Sequence, residues 1–509
     1  MASSIGMAGL VPVLVFLLFA LGIAVAVRRR SRAAATGGFV KEYFIGDRSL
    51  GGFVLAMTTI ATYGSVSSFV GGPGQAWNVG FGWVYMATVQ VVTLFLLYGI
   101  MGKKMALVSR KLGAVTVIDV IRERYQSNAI AVAAAFILVL FFGATMVAQF
   151  VGGAKLFEAV TGYSYVTGLF LFGAAVIIFT AVGGFRGVAV TDALCGIAML
   201  VGIAVLAGGI FSAGGGYENV MAAIQANRPE LLEPFAAGAM PLSLYFTQWL
   251  LVGVLTFCLP QSVVRCMGYK DTKSLHRAMI WGTVIIGAMM IGVTALGTLA
   301  AGVLTDDLAA YGGSVDNIIP IAIAQTLPPW LAGIAIIGPI AASISTVSSL
   351  LIASSSAIVK DLWLHRAGEK GVEVQDKSVS RFSQMATLGI GVIVFVLAVT
   401  PPDVIWKINM FAFGGLETAF CWVFVGALFW KRANKTGAIA SMVGGTLTYC
   451  FTMAVGFKLF GLHQIVIGIV VAFVLMVAGS YLGKPSDKKM LAVFFPEKEG
   501  SASEQHERA

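Results

Sequence analysis

The segment "IATYGSVSSFVGGPG", Ile60–Gly74, lies between the apolar runs "FVLAM" and "WVYMATVQVVTLFLLYGI", yet glycines and hydroxyl side chains crowd it. Irregular backbone is tolerated in a bilayer only where protein or a water-filled cavity surrounds it. If the helix unwinds near Ala61 to Ser65, carbonyl oxygens lose their helical partners and can coordinate a hard cation. Gly64 permits such a backbone. The segment therefore predicts a broken membrane helix, with tight packing of small residues as the alternative.

The composition is that of a membrane protein. Of 509 residues, 58% are hydrophobic and 11% are charged, whereas soluble domains carry about 25% charged residues. A spanning helix needs about 20 apolar residues. The chain has thirteen candidate spans, approximately at 8–27, 50–77, 82–102, 129–158, 163–184, 189–212, 240–266, 275–303, 328–361, 382–400, 403–430, 437–457 and 462–482.

The basic residues indicate the topology. If the N-terminus lies outside and the spans alternate, all but four of the 34 Lys and Arg fall on one side, the exceptions being Lys155, Arg228, Lys407 and Lys458. Basic loops stay cytoplasmic, so the N-terminus is predicted outside and the C-terminus in the cytoplasm. The net charge of +10 is thus a topology signal, and no nucleic-acid partner is expected.

The chemistry-bearing residues disfavour an enzyme. The chain has four histidines, and neither HExxH nor GxSxG occurs. A channel would favour a charged ring or a filter loop, and a sensor would more often carry a signalling domain. Neither pattern fits this sequence, so both classes are less favoured than a secondary transporter. Spans two to six and seven to eleven begin on opposite sides, and each set opens with an irregular helix, the second being "YFTQWLLVGVLTFCLPQSVVR". This arrangement is typical of an inverted-repeat transporter.

The predicted organisation follows the spans. It comprises an outer first helix with a basic linker (1–49), a first repeat (50–212), an extracellular loop (213–239), a second repeat (240–430), two C-terminal helices (431–483) and a cytoplasmic tail (484–509).

A second hydroxyl-rich stretch lies at Gly338–Leu362. The side chains of Ser345 and Thr346 point about 100° apart around a helix, and they can converge on one ion with the Ala342 carbonyl. The Ala61 and Gly64 carbonyls would complete five neutral oxygens, which suit a monovalent ion, since a divalent ion usually requires carboxylates. The alternative is that these hydroxyls bond to their own helix.

The chain resembles the sodium:solute symporter family over about residues 10–485. The resemblance rests on "EYFIGDRSLGGFVLAMTTIATY", "FVGGAKLFEAVTG", "FTAVGGFRGVAVTD", "PQSVVRCMGYKDTKSLHR", "AFGGLE" and "GALFWKRANKTGAIASMVGG". It implies an all-α LeuT-type fold and sodium-coupled solute import across a bacterial plasma membrane, with Na⁺ as coupling ion and no other cofactor.

The resemblance also assigns residues. It places sodium on the backbone oxygens and hydroxyls already identified: Ala61, Gly64, Ala342, Ser345 and Thr346. Asp192 matches an acidic position associated with sodium release, although a helix N-cap is the alternative. Tyr63 stands where proline-transporting relatives have an acidic residue.

For the solute, the resemblance suggests Ser65, Ser68, Thr145, Gln149, Thr256, Gln248 and Trp83, with packing as the alternative for each. The motifs favour pantothenate, whereas proline or a monocarboxylate is the alternative. Because no Lys or Arg is expected in the middle of the bundle, the half-helix beginning near Ser65 is predicted to receive the solute carboxylate. Glu417, in the middle of span eleven, is expected to be protonated and hydrogen-bonded to a neighbouring helix.

Overall fold

A computed structural model of the protein describes residues 6–34, 50–235, 238, 240–401 and 403–496. The predicted basic linker from residue 35 and the end of the tail lie outside this range. The described backbone is helical, and its one recorded β-bridge joins Leu50 to Tyr269. The helices are α1 Gly6–Ala34, α2 Gly52–Tyr63, α3 Ser67–Val79, α4 Phe81–Leu112, α5 Val117–Tyr125, α6 Asn128–Thr161, α7 Tyr165–Ala213, α8 Tyr217–Asn227, α9 Tyr245–Cys258, α10 Pro260–Gly268, α11 Thr272–Ala300, α12 Ile318–Thr326, α13 Pro329–Glu369, α14 Asp376–Ala398, α15 Ile405–Phe429, α16 Lys435–Ala454, α17 Ile465–Leu482 and α18 Lys488–Phe494.

The helices account for the predicted spans. In the described part of the chain, ten helices are long and apolar enough to cross a membrane, or twelve if each of two bent pairs forms one span. The shorter apolar segment Tyr165–Ala181 occupies the remaining predicted position.

The helix α7 joins two predicted spans without a helix break. Its 49 residues would extend about 74 Å if straight, more than twice the hydrocarbon core of about 30 Å. The Tyr165 hydroxyl donates to the Ala398 carbonyl at 2.7 Å, and Gly209 lies against Leu327. Since α13 and α14 are joined by a short connection, Leu327 and Ala398 lie at the same end of the bundle. Both ends of α7 therefore lie at that end, and the chain crosses twice as predicted.

Two helices are bent where the sequence predicts irregularity. The axes of α2 and α3 differ by 63°, and those of α9 and α10 by 41°. The second bend follows from Pro260, which has no N–H to continue a helix but fits its first turn. Leu259, immediately before it, is extended (φ −62°, ψ 124°).

Basic segments meet at one end of the bundle. Arg124 donates to the Ala433 carbonyl at 3.0 Å, and Arg110 to the Tyr269 carbonyl at 2.5 Å. We call this end, where α4 finishes and α6 begins, the basic face. Its contacts join segments that the alternating topology places on the same side.

A charged cluster on the basic face connects α5 to α13. Thr116 caps α5 and donates to Asp361 at 2.7 Å, while Arg122 donates to the Asp361 carbonyl at 2.5 Å. Lys360 forms an ion pair with Asp119. We call this group the α5 clasp; it fixes a short connecting helix to the end of a long one.

Candidate functional site

The helical hydrogen-bond ladder is interrupted between α2 and α3. Gly64 and Ser65 lie outside both helices. The Val66 N–H donates to Gln149 Oε1 at 2.8 Å, and the Ser68 N–H donates to the Ser65 carbonyl at 2.9 Å. Neither N–H reaches the carbonyl four residues earlier, as a continuous helix would require. The predicted break is therefore present, and an amide side chain from α6 holds it.

The reason for glycine at position 64 differs from the prediction. Its φ of −67° and ψ of 100° are accessible to any residue. However, a Cβ there would lie 3.0 Å from Met199 Sδ and 3.1 Å from Met289 Cε. Gly64 thus lies close to the flexible ends of two methionine side chains, and its backbone angles do not themselves require glycine.

Three of the five predicted sodium ligands lie together. Thr346 Oγ1 is 2.9 Å from the Ala342 carbonyl oxygen and 3.4 Å from the Gly64 carbonyl oxygen. Ala61 is buried in the last turn of α2. Ser345 instead donates from Oγ to Asp192 Oδ1 at 2.6 Å. The neutral oxygens thus connect α2 to α13, and Ser345 links them to a carboxylate.

Asp192 lies inside α7, so the alternative prediction that it is a helix N-cap is wrong. Its Oδ2 accepts from Thr58 at 2.8 Å and forms an ion pair with Arg265 at 3.3 Å. Both ionic side chains are buried, with 2% and 3% of their side-chain surfaces exposed. Such a pair is costly to separate, because each charge would be left unpaired away from water.

Arg265 corrects the expectation that no cation lies within the bundle. It also donates to Ser349 at 3.0 Å and to Thr62, so it joins α10 to α2 and α13. The prediction missed it because Arg265 opens a basic segment that reads as a surface loop. The sequence did contain a signal for the buried position of Arg265. It was Pro260, because a helix that restarts at this proline directs the following residues into the bundle.

The predicted solute residues separate into two groups. Ser65, Ser68, Gln149 and Thr256 lie at the break: Ser68 donates to the Tyr63 carbonyl at 3.4 Å, and the Tyr63 hydroxyl donates to the Thr256 carbonyl at 3.0 Å. Gln149 Nε2 is buried without a hydrogen-bond partner in the described structure. The break thus retains an unused buried donor.

The other three predicted residues have no recorded contact with the break. Thr145 bonds to the Phe141 carbonyl in its own helix at 3.1 Å. Trp83 packs edge-on against Trp406, with ring centroids 4.9 Å apart. Gln248 is buried, and its Oε1 has no partner within the described ranges. Ser343, which was not predicted, donates to the Gln149 carbonyl at 2.9 Å and lies in the hydroxyl-rich stretch.

Glu417 differs from its prediction. Both of its carboxylate oxygens are buried, and neither has a hydrogen-bond partner among the residues that the structure describes. The expected bond to a neighbouring helix is therefore absent there.

A cavity of about 50 Å³ lies between the ion pair and the α5 clasp. Its lining includes Thr116 and Asp361 from the clasp, Asp192 and Arg265 from the ion pair, and Gln261 from α10. The cavity lies toward the basic face from the break.

Known proteins resemble this chain along most of its length. Residues 43–445 match the sodium:solute symporter family. The chain is 40% identical to a sodium/pantothenate symporter of Haemophilus influenzae and 38% identical to one of Escherichia coli. Each alignment covers 93% of this chain and 96% of the relative.

The fold has a solved counterpart in a sodium-coupled sialic acid symporter in a substrate-bound outward-open state. The TM-score is 0.77, with 95% of this chain and 100% of that chain covered. At 18% identity this likeness concerns the fold alone, which is the all-α LeuT-type fold. From the family match, the two relatives and the shared fold, the chain belongs to the sodium:solute symporter family.

Proposed function

We propose that this protein is a sodium-coupled symporter that imports pantothenate by alternating access. The observation that carries the proposal is its 40% and 38% identity, along nearly the whole chain, to two sodium/pantothenate symporters. The broken helix supports it, because neutral oxygens and a buried amide meet there between α2, α6 and α13. The family and the two relatives are sodium-coupled transporters, so the chain is a transporter and not an enzyme.

Sodium is proposed to bind at the carbonyls of Ala61, Gly64 and Ala342 and the hydroxyls of Ser345 and Thr346. The contact of Thr346 with two of these carbonyls supports this set. Ser345 donates its hydroxyl hydrogen to Asp192, so the lone pairs of its Oγ remain available to sodium and connect ion binding to the buried ion pair. Asp192 is proposed to receive sodium on its way to the cytoplasm.

The solute is proposed to bind next to the break, against Ser65, Ser68, Gln149 and Thr256. Pantothenate offers hydroxyl, amide and carboxylate groups, and the unpartnered Gln149 Nε2 supplies a donor for one of them. Thr145, Gln248 and Trp83 remain predicted contacts without a direct link to the break.

The basic face is proposed to lie in the cytoplasm of a bacterial cell, at the plasma membrane, with the N-terminus outside. The gathering of basic segments at one end of the bundle supports this orientation. Cysteine substitutions at exposed positions of the two ends, labelled with an impermeant reagent in intact cells, test it.

Uptake of labelled pantothenate into proteoliposomes tests the proposed function. An inward sodium gradient is expected to drive uptake above equilibrium, whereas a potassium gradient is not. Excess unlabelled pantothenate should compete, while proline and a simple monocarboxylate should not. Sodium-independent uptake would contradict sodium coupling, and stronger competition by proline would contradict the solute.

A further inference from the structure

We propose that the buried Asp192–Arg265 ion pair is exchanged during transport, with the solute carboxylate binding Arg265 and sodium binding Asp192. The inference rests on the proposed function and adds a second solute position, in the cavity on the cytoplasmic side of the break. It assigns recognition of the organic anion to a residue outside the predicted solute site.

The position of Arg265 supports an anion site. Its side chain lines the cavity beside Asp192, and only 3% of its side-chain surface is exposed. Nη2 is engaged by Asp192 and Ser349, but Nε is buried without a partner in the described part of the chain. A guanidinium binds a carboxylate through two parallel N–H groups. The unused Nε–H is therefore a ready donor for an incoming carboxylate.

Gln261 supplies a neutral contact beside it. Gln261 precedes Arg265 by one helical turn, so both side chains lie on the same side of α10. It lines the same cavity, and its Oε1 is buried without a hydrogen-bond partner within the described residues. A hydroxyl or amide N–H of the solute would satisfy this oxygen. The pair thus fits a small acid that also carries hydrogen-bond donors.

The carboxylates that line the cavity control anion binding through electrostatic repulsion. Asp361 is held by Thr116 and lies 3.9 Å from Lys360 Nζ, so part of its charge is balanced. Asp192 holds Arg265 itself and would repel an incoming anion. A sodium ion at Asp192 removes this repulsion and frees the guanidinium.

Each transported species therefore favours the other. An anion that takes Arg265 without sodium leaves Asp192 as an unpaired buried charge, and sodium alone leaves Arg265 unpaired, which is unfavourable in either case. When both bind, two buried ion pairs replace one. This exchange explains why an organic anion and a cation would move together.

The test compares pantothenate with panthenol, in which an alcohol replaces the carboxylate. In sodium-driven proteoliposome uptake, we expect the wild type to prefer pantothenate by about tenfold or more, since a buried charge pair discriminates strongly. Arg265→Gln should reduce this preference to near unity. Arg366→Gln, which removes an exposed arginine on the same face, should retain it.

If Arg265→Gln abolishes uptake of both solutes, a direct binding measurement tests the proposal instead. Sodium-dependent binding of labelled pantothenate to the purified protein should be lost in this variant, while panthenol binding should remain. Asp192→Asn should allow pantothenate binding without sodium, because Arg265 then lacks its partner. Retained preference in Arg265→Gln, or an unchanged sodium requirement in Asp192→Asn, would overturn the proposal. A wild type that transports neither solute would instead refute the proposed function.

Discussion

The two broken helices solve the same structural problem in different ways. Between α2 and α3 the chain leaves the helix for Gly64 and Ser65, and side chains of other helices approach the freed groups. Between α9 and α10 a single extended residue, Leu259, precedes Pro260, which has no N–H to satisfy. The first break depends on several partners from other helices. At the second break, the Thr256 carbonyl, four residues before Pro260, accepts from the Tyr63 hydroxyl at 3.0 Å.

This difference indicates separate roles. Partners such as Gln149 and Thr346 can be exchanged for an ion or a solute, so the first break is suited to binding. The second break has one such partner, the Tyr63 hydroxyl, and it turns the chain so that Arg265 lies inside the bundle. We infer that the first break recognises neutral groups and the second positions charge.

The largest expected effect comes from crowding the first break. In Gly64→Val, a Cβ would lie 3.0 Å from Met199 Sδ, a flexible side-chain end that can shift, so membrane abundance should stay normal. The added methyl groups would crowd the break, so uptake should fall by about tenfold or more. Gly71→Ala, whose Cβ would lie 3.2 Å from the nearest atom, should be milder. Equal loss of abundance and uptake at both positions, measured by immunoblot and flux, would indicate a packing motif.

Removing hydroxyls from the first break should alter its ion dependence. In Ser345→Ala/Thr346→Ala, two of five proposed ligands are absent, while helix propensity stays favourable. We expect the sodium concentration for half-maximal uptake to rise by about tenfold, the effect of losing ~1.4 kcal/mol. Ser355→Ala, a buried hydroxyl farther along α13, serves as control. An unchanged sodium dependence would refute the site.

Relaxing the second break should have a smaller effect. Pro260→Ala restores an N–H and allows α9 and α10 to straighten, which would displace Arg265. Uptake of pantothenate should fall by about threefold to tenfold, with the sodium dependence less affected than in the double variant. Pro401→Ala, at an exposed position, is the matched control. A shift in sodium dependence alone would contradict the separation of roles.

Within the first break, substitution of Ser68 tests whether this side chain contacts the solute or the ion. Among the described residues its hydroxyl donates to the Tyr63 carbonyl, and this hydrogen bond is long at 3.4 Å. Ser68→Ala should raise the pantothenate concentration for half-maximal uptake by about threefold to tenfold, as expected for one lost hydrogen bond. The sodium dependence should remain as in the wild type, and an exclusive change in it would reverse the assignment.

The smallest expected effect concerns the support of α9. The His463 backbone N–H donates to the Thr247 hydroxyl oxygen on α9 at 3.3 Å. Burial, with Lys458 nearby, lowers the pKa of His463 from 6.5 to about 4. The unfolded chain therefore binds the proton first, and stability should decrease as the pH falls from about 6.5 toward 4. The melting temperature should drop by about 2 °C between pH 7 and 5, and His463→Gln should reduce this drop.

Much of the fold could be predicted because lipid imposes simple rules. Apolar length identified the spans, and the glycine- and proline-containing stretches identified both bends. The double crossing within α7 was predicted from hydropathy, but its uninterrupted helix was not, since nothing in the sequence distinguishes a turn from a bent helix there.

The site was less predictable because side-chain partners depend on tertiary packing. Thr346 could be placed beside Ala342 from helical spacing alone. The ion pair of Asp192 with Arg265 joins residues 73 positions apart, and no local pattern announces it. Glu417 shows the same dependence on packing. A hydrogen-bond partner was expected on a neighbouring helix, but neither carboxylate oxygen has one in the described structure.

The α5 clasp has a consequence for how fast the transporter cycles. Asp361 and Thr116 border both the clasp and the cavity, so a pathway that widens there must loosen the attraction between Lys360 and Asp119. Salt at physiological strength screens partly exposed charges over a Debye length of about 8 Å. The ionic strength at the basic face therefore acts on the opening of the cavity there, and turnover should respond to salts that are not themselves transported.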